Sequence, residues 1–393
     1  MVNIINTALA ALSPVGYLLN KGIPQYIGFI NLITLLTLWL LINILVINKC
    51  TAGLQAFLHV VLTCVLCLAF KSKSLLVFYI SFEFSVLPIT LIIFLFGYQP
   101  EKLYASLALV LYTILGGLPL LLYLLYRDFV ISSFLYGSLL SIPITLAFLI
   151  KTPMYLLHIW LPKAHVEAPV GGSMVLAGVI LKLGSYGLLL FMPLIAFNRL
   201  LGFYLSITLV GMVVRALICL RQGDLKLLIA YSSIVHMGVV TLGFIRGSEM
   251  GYNCAFMMVV AHGWCSPLLF AFSFWFYSAS HSRLLINNTC SWPAVIGCFF
   301  CLIALNLGVP PSLGLWSEVL LTIRVLSVLR SGFVPLLAVF FLGATYNLYL
   351  YIRCAHAKPT ALNNFIPDSA YLQVLQVVFF SFFSSLCLDL VSV

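Results

Sequence analysis

Long apolar runs separated by short polar joints dominate this chain. Candidate spans fall at 4–19 (the weakest, carrying Pro14), 26–48, 52–70, 74–97, 103–126, 130–161, 169–195, 200–220, 226–245, 252–277, 292–329, 333–353 and 371–391. A helix of about 20 apolar residues crosses a bilayer. In lipid every backbone N–H and C=O must be paired internally, so these runs read as helices and not as strands. The pattern predicts an all-α fold, a polytopic transmembrane helix bundle of about thirteen helices. The joints are short, which makes sequence neighbours antiparallel. No linker or low-complexity stretch divides residues 1–393, so they read as a single transmembrane domain.

Two spans carry helix breakers in mid-run. One passes through Lys151-Thr152-Pro153, where the proline lacks an N–H and its ring collides with the carbonyl of Leu149. The other passes through Gly308-Val309-Pro310-Pro311-Ser312-Leu313-Gly314 and then reaches Glu318. A simple proline kink explains either one alone. Breaks at membrane depth are tolerated where they line a protein or water cavity, and each of these lies beside a buried charge. Both are expected to be broken helices serving a conduction site.

Six ionisable residues interrupt the apolar runs: Glu83, Lys151, Lys182, His236, His262 and Glu318. A charge at the bilayer centre costs about 2.5–3.5 kcal/mol on insertion scales. Each has a bland alternative. Glu83 could be a hydrogen-bonded structural acid, Lys151 could snorkel from a helix end, and a lone buried histidine is often structural. Together on successive helices they supply what a proton relay requires: a desolvated lysine that can release its proton and imidazoles that titrate near neutrality.

Composition narrows the class further. The chain is 63% hydrophobic and only 7% charged, with a net charge of +10. That excludes a soluble domain. The basic residues fall one or two at a time in joints, so they form no nucleic-acid footprint, and no nucleic acid is expected as a partner. The eleven cysteines do not read as a disulfide framework. The pairs Cys64/Cys67 and Cys298/Cys301 have metal-like spacing without further ligands, so packing is the expectation and no metal site is assigned. There is no dinucleotide glycine motif after a strand and no ferredoxin-type cysteine run, so no cofactor is expected in this chain. No cleavable targeting segment is recognisable at the start.

Three stretches carry a resemblance. They are Lys151-Thr-Pro-Met-Tyr-Leu-Leu-His158-Ile-Trp160-Leu-Pro-Lys163-Ala-His165-Val-Glu167-Ala-Pro169 continuing to Lys182, Leu220-Arg221-Gln222-Gly223-Asp224-Leu-Lys226 continuing to His236, and Gly97-Tyr-Gln99-Pro100-Glu101-Lys102. They resemble the chain 4 family of NADH–ubiquinone oxidoreductase, the proton-pumping, antiporter-like membrane subunits of mitochondrial respiratory complex I. The likeness covers roughly residues 52–355, and the Lys163–Pro169 wording is similar to animal mitochondrial versions.

The resemblance implies two inverted five-helix repeats, here 52–195 and 200–353, after N-terminal helices in 1–51 and before a C-terminal helix at 371–391. It implies that Glu83 pairs with Lys151, and that Lys182 passes protons through His236 and His262 to Glu318. It places the chain in the mitochondrial inner membrane beside other complex I subunits, the neighbouring antiporter-like ones above all, and among lipids such as cardiolipin. NAD, FMN, iron–sulfur clusters and ubiquinone are expected on other subunits. The Lys163–Glu167 loop is expected on the matrix side, and seven further crossings put Val393 opposite it. The sequence departs from the family in a shorter stretch before Glu83, so one early helix is expected to be absent. It also departs in Phe276–Arg283, which puts a loop contact in doubt. The rival readings are a stand-alone cation/proton antiporter of the same fold, a haem protein using His236 and His262, and a non-pumping scaffold.

Overall fold

The computed structural model describes residues 25–47, 53–72, 74–130, 136–191, 201–245, 249–289, 293–328, 332–356 and 368–386. The 4–19 segment and both chain ends, with the orientation expected for Val393, lie outside them. Helices run in the order α1 Gln25–Ile47, α2 Gly53–Lys71, α3 Leu75–Phe84, α4 Val86–Phe96, α5 Lys102–Val130, α6 Tyr136–Lys151, α7 Trp160–Glu167 and α8 Val170–Val175. A π-helical turn, Leu176–Ile180, joins α8 to α9 Leu181–Phe191. There follow α10 Leu201–Arg221, α11 Leu225–Ile245, α12 Glu249–Ser280, α13 Pro293–Leu307, α14 Leu313–Val328, α15 Phe333–His356 and α16 Asp368–Leu386. Among the described residues, nine helical runs are long and apolar enough to cross a membrane.

Burial separates the centre from the periphery. The run Val170–Phe191 is wholly buried, Met250–Ser280 is 94% buried and Leu225–Ile245 is 89% buried, whereas Lys102–Leu125 and Phe333–Ala355 are each 28% buried. The outer face of α5 carries Leu107, Leu111, Leu115, Leu118, Leu122 and Leu125, all exposed and spaced three or four apart. That spacing makes one continuous exposed apolar stripe along the helix. The three central runs carry Lys182, His236 and His262.

Both expected breaks are present. Helix α6 stops at Lys151, and Met154 N–H reaches back five residues to Leu149 C=O at 3.0 Å. The break strands carbonyls of the last turn, and the Trp160 indole N–H donates to Ile150 C=O at 3.0 Å. Helix α13 stops at Leu307, Gly308 takes φ +77°, and α14 resumes at Leu313. A side chain at that φ would meet its own backbone, so glycine suits the turn.

Two features differ from the sequence expectation. The 74–97 span is two helices with a turn at Ser85, because Pro88 withholds an N–H from the last turn of α3. At the turn Ser85 O–H donates to Phe82 C=O at 2.7 Å. The 169–195 span contains the π turn, which holds Gly178 and no proline and which the apolar pattern does not announce.

Candidate functional site

Lys182 is 1% exposed and lies two residues beyond the π turn. The widened turn leaves Ala177 C=O free to accept from Lys182 Nζ at 2.5 Å. Nζ also sits 2.7 Å from His262 Nδ1. Ser266 O–H spans from His262 C=O at 2.8 Å to within 3.4 Å of the same Nδ1, fixing the ring from its own helix. π turns inside α-helices recur at functional sites because they redirect backbone groups in this way.

His236, on α11, stands beside His262 with ring centroids 5.7 Å apart. Its Nε2 has no protein partner. A cavity of about 10 Å³ is bounded by His236, His262, Asn306 and Glu318. A second, of about 20 Å³, is bounded by His236, Asn306, Glu318, Tyr346 and Asn347. Each is large enough for about one water molecule. Glu318 lies in the first turns of α14, directly after the second break, as the sequence placed it. Lys182, His262, His236 and Glu318 thus form one internal line, and the cavities leave no room for a porphyrin between the two histidines.

The other two residues are neighbours without a bond. Lys151 Nζ donates to Phe82 C=O at 2.7 Å and lies 3.0 Å from the centroid of the Phe82 ring. The Glu83 carboxyl, one residue on, faces α5, where a Cβ at Gly117 would overlap it. Gly117 therefore provides the space for that carboxyl. Among the described residues, the one ion pair within 4.0 Å is Arg283–Glu167 at 3.7 Å, so the expected direct Glu83–Lys151 pair is not made in this conformation. The physical reason is that the Lys151 ammonium donates to the Phe82 main-chain carbonyl while the Glu83 carboxyl lies against Gly117.

Sequence reasoning missed a polar region around α7. A cleft of about 720 Å³ is lined by Glu101, His158, Lys163, Glu167, Arg215 and Arg283, among others. Arg283 reaches Glu167, and its main chain ties two loops together: Leu225 N–H donates to Arg283 C=O at 3.1 Å, and Leu285 N–H donates to Gly223 C=O at 2.8 Å. Burial raises the Glu167 carboxyl above its ordinary value, and Arg283 opposes that shift. His165 stacks on Phe270 at 4.5 Å with the rings 3° from parallel. Burial, then the charges of Lys226 and Lys182, push it down to about 3. Lys226 Nζ, 7% exposed, donates to Ala168 C=O at 3.2 Å. The guanidinium of Arg215 lies 5.2 Å and 5.5 Å from the Tyr155 and Tyr231 ring centroids. Arg215 and Asn347 each stand alone in an apolar run, the same signal that marked the other six.

Fold and site together define a polytopic membrane protein of the antiporter-like class, with broken helices around a buried line of ionisable groups. The family described as NADH:quinone oxidoreductase/Mrp antiporter, transmembrane, matches residues 72–345, and the chain belongs to it. It is 40% identical over 363 residues to NADH-ubiquinone oxidoreductase chain 4 of Ceratitis capitata, covering 86% of this chain and 81% of that one. It is 39% identical over 332 residues to the protein of the same name from Lumbricus terrestris, covering 79% and 73%. The fold is similar to a chain of respiratory complex I from Thermus thermophilus, with TM-score 0.74, 21% identity and 98% and 97% of the two chains covered. It is also similar to a chain of the Mrp complex from Dietzia sp., with TM-score 0.78, 19% identity and 90% and 42% covered.

Proposed function

We propose that this chain is a core membrane subunit of NADH:ubiquinone oxidoreductase that translocates protons across the mitochondrial inner membrane. The contact between Lys182 Nζ and His262 Nδ1 at 2.7 Å carries the reading. A lysine and an imidazole at that distance, both buried in lipid-embedded helices, share one proton in the contact. If the ammonium donates, Nδ1 accepts and the His262 N–H sits on Nε2. Transfer of the shared proton to Nδ1 leaves a neutral amine and an imidazolium, which can discharge from Nε2 toward His236 and on to Glu318. Lys151 and Glu83 act upstream: a carboxylate approaching or leaving the ammonium changes how strongly the charge is held, so the pair gates the lysine behind it.

In this role the chain supplies protein groups for proton transfer. Electrons are handled by other subunits, which bind NADH, flavin, iron–sulfur clusters and ubiquinone. The exposed leucine stripe of α5 and the exposed faces of α15 suit neighbouring antiporter-like subunits and lipids such as cardiolipin. The two helix breaks correspond under the inverted-repeat arrangement, with Lys151 and Glu318 in matching places of 52–195 and 200–353.

The test is NADH-driven acidification by the intact assembly in liposomes, with Glu318→Gln as the variant. Lost acidification in an assembled complex supports the reading, and unchanged acidification contradicts it. The similarity to the Mrp chain motivates a second reading, a cation/proton antiporter without redox partners. Purification separates the two: the chain copurifies with NADH-oxidising activity under the first reading and without it under the second.

A further inference from the structure

We infer that Asn306 and Asn347 are positioning residues that hold a water as the proton link between His236 and Glu318. The inference rests on the relay reading above and adds a component to it.

Asn306 is in the last turn of α13, one residue before the helix stops, and Asn347 is in the middle of α15. They are 8% and 2% exposed. Asn306 Nδ2 donates to Asn347 Oδ1 at 2.9 Å, a side-chain bond between two different spans. A lone amide in an apolar span is costly to desolvate unless it is paired. The pairing explains why both are tolerated, and the position shows what else they do. Both line the cavity of about 20 Å³ that His236 and Glu318 also line. Asn306, His236 and Glu318 line the adjoining cavity of about 10 Å³ as well.

The shared bond uses one N–H of Asn306 and the carbonyl of Asn347. Asn306 also hydrogen-bonds the His236 side chain and Asn347 that of Tyr346, which leaves the second lone pair of the Asn306 carbonyl and one Asn347 N–H for a third party. That combination of acceptor and donor holds a water in a defined orientation. His236 Nε2, buried and without a protein partner, is the group such a water would serve on one side. The carboxyl of Glu318 is on the other. The step balances: an imidazolium N–H proton passes to the water, the water gives one of its own protons to the Glu318 carboxylate, and the products are neutral imidazole, carboxylic acid and water. An amide suits the holder's role because it does not titrate in the working range and takes no proton itself.

The isosteric pair Asn347→Thr and Asn347→Val tests this in the assembled complex in liposomes. The two differ by a hydroxyl against a methyl, so packing losses are common to both. The inference expects Asn347→Val to lower the proton translocation rate about tenfold or more, and Asn347→Thr to keep it within about threefold of the parent. Equal rates for the two assembled variants overturn it. If Asn347→Val fails to assemble, a density map of the unmodified complex decides. A water within hydrogen-bond distance of both asparagines supports the inference, and a dry cavity overturns it. The relay reading fails separately: it falls if Glu318→Gln pumps normally, whereas an inactive Glu318→Gln beside a fully active Asn347→Val removes only the asparagine link.

Discussion

Lys182 Nζ lies 2.7 Å from His262 Nδ1, between two of the most buried runs in the bundle. Neither group has a carboxylate within 4.0 Å among the described residues, so Lys182 depends on His262 and Ala177 C=O, and His262 on Lys182 and Ser266. Deleting one member leaves the other desolvated and short of a partner, at a cost of about 3–5 kcal/mol if it stays charged. His262→Leu is therefore expected to lower the thermal stability of the purified assembly more than the double variant Lys182→Met/His262→Leu does. Thermal unfolding of the three proteins checks this, and a double variant less stable than the single contradicts it.

The Glu83 carboxyl occupies the space opposite Gly117, and a Cβ there would overlap it. Gly117→Ala is expected to displace the carboxyl and destabilise the α3–α5 contact by about 1–3 kcal/mol. Adding Glu83→Ala removes the overlap and is expected to restore assembly without restoring proton translocation. Assembly yield and liposome acidification, measured side by side, separate the two effects.

Much of this site was legible because its signals are local. Pro153 and the Gly308–Gly314 stretch announce their own breaks, and a charge inside an apolar run is conspicuous without any structure. What was illegible depends on partners from elsewhere in the chain. The π turn before Lys182 holds only Gly178, a residue too common in apolar spans to signal it. The Lys151 ammonium goes to Phe82 C=O, and only the packed helices reveal it. Trp160 caps the carbonyl of Ile150, a bond across the break that spacing alone does not imply. Asn306 and Asn347 lie 41 positions apart in sequence, so their pairing belongs to the tertiary fold.

His165 gives a pH dependence whose sign follows from its burial. Its ordinary value is 6.5, and in the folded protein it is pushed down to about 3. Between these values the unfolded chain binds more protons, so stability rises with pH through that window and is lost as pH falls below about 6.5. Acidification is thus expected to loosen the 160–168 segment from Phe270. His165→Phe keeps a ring to stack and removes the titration. Hydrogen exchange of that segment from pH 7 to pH 5 is expected to speed up in the parent and not in His165→Phe, once the intrinsic pH dependence of exchange is removed.

The central claim is that protons cross through the buried line beginning at Lys182. The most direct measurement is NADH-driven proton translocation by the assembled complex in liposomes, comparing the parent with Lys182→Met, an apolar side chain of similar length. The account predicts translocation lowered on the order of 10²-fold or more in an assembly of normal composition, the scale expected for loss of a proton-transferring group. Translocation at the parental rate in a normally assembled Lys182→Met complex would contradict it.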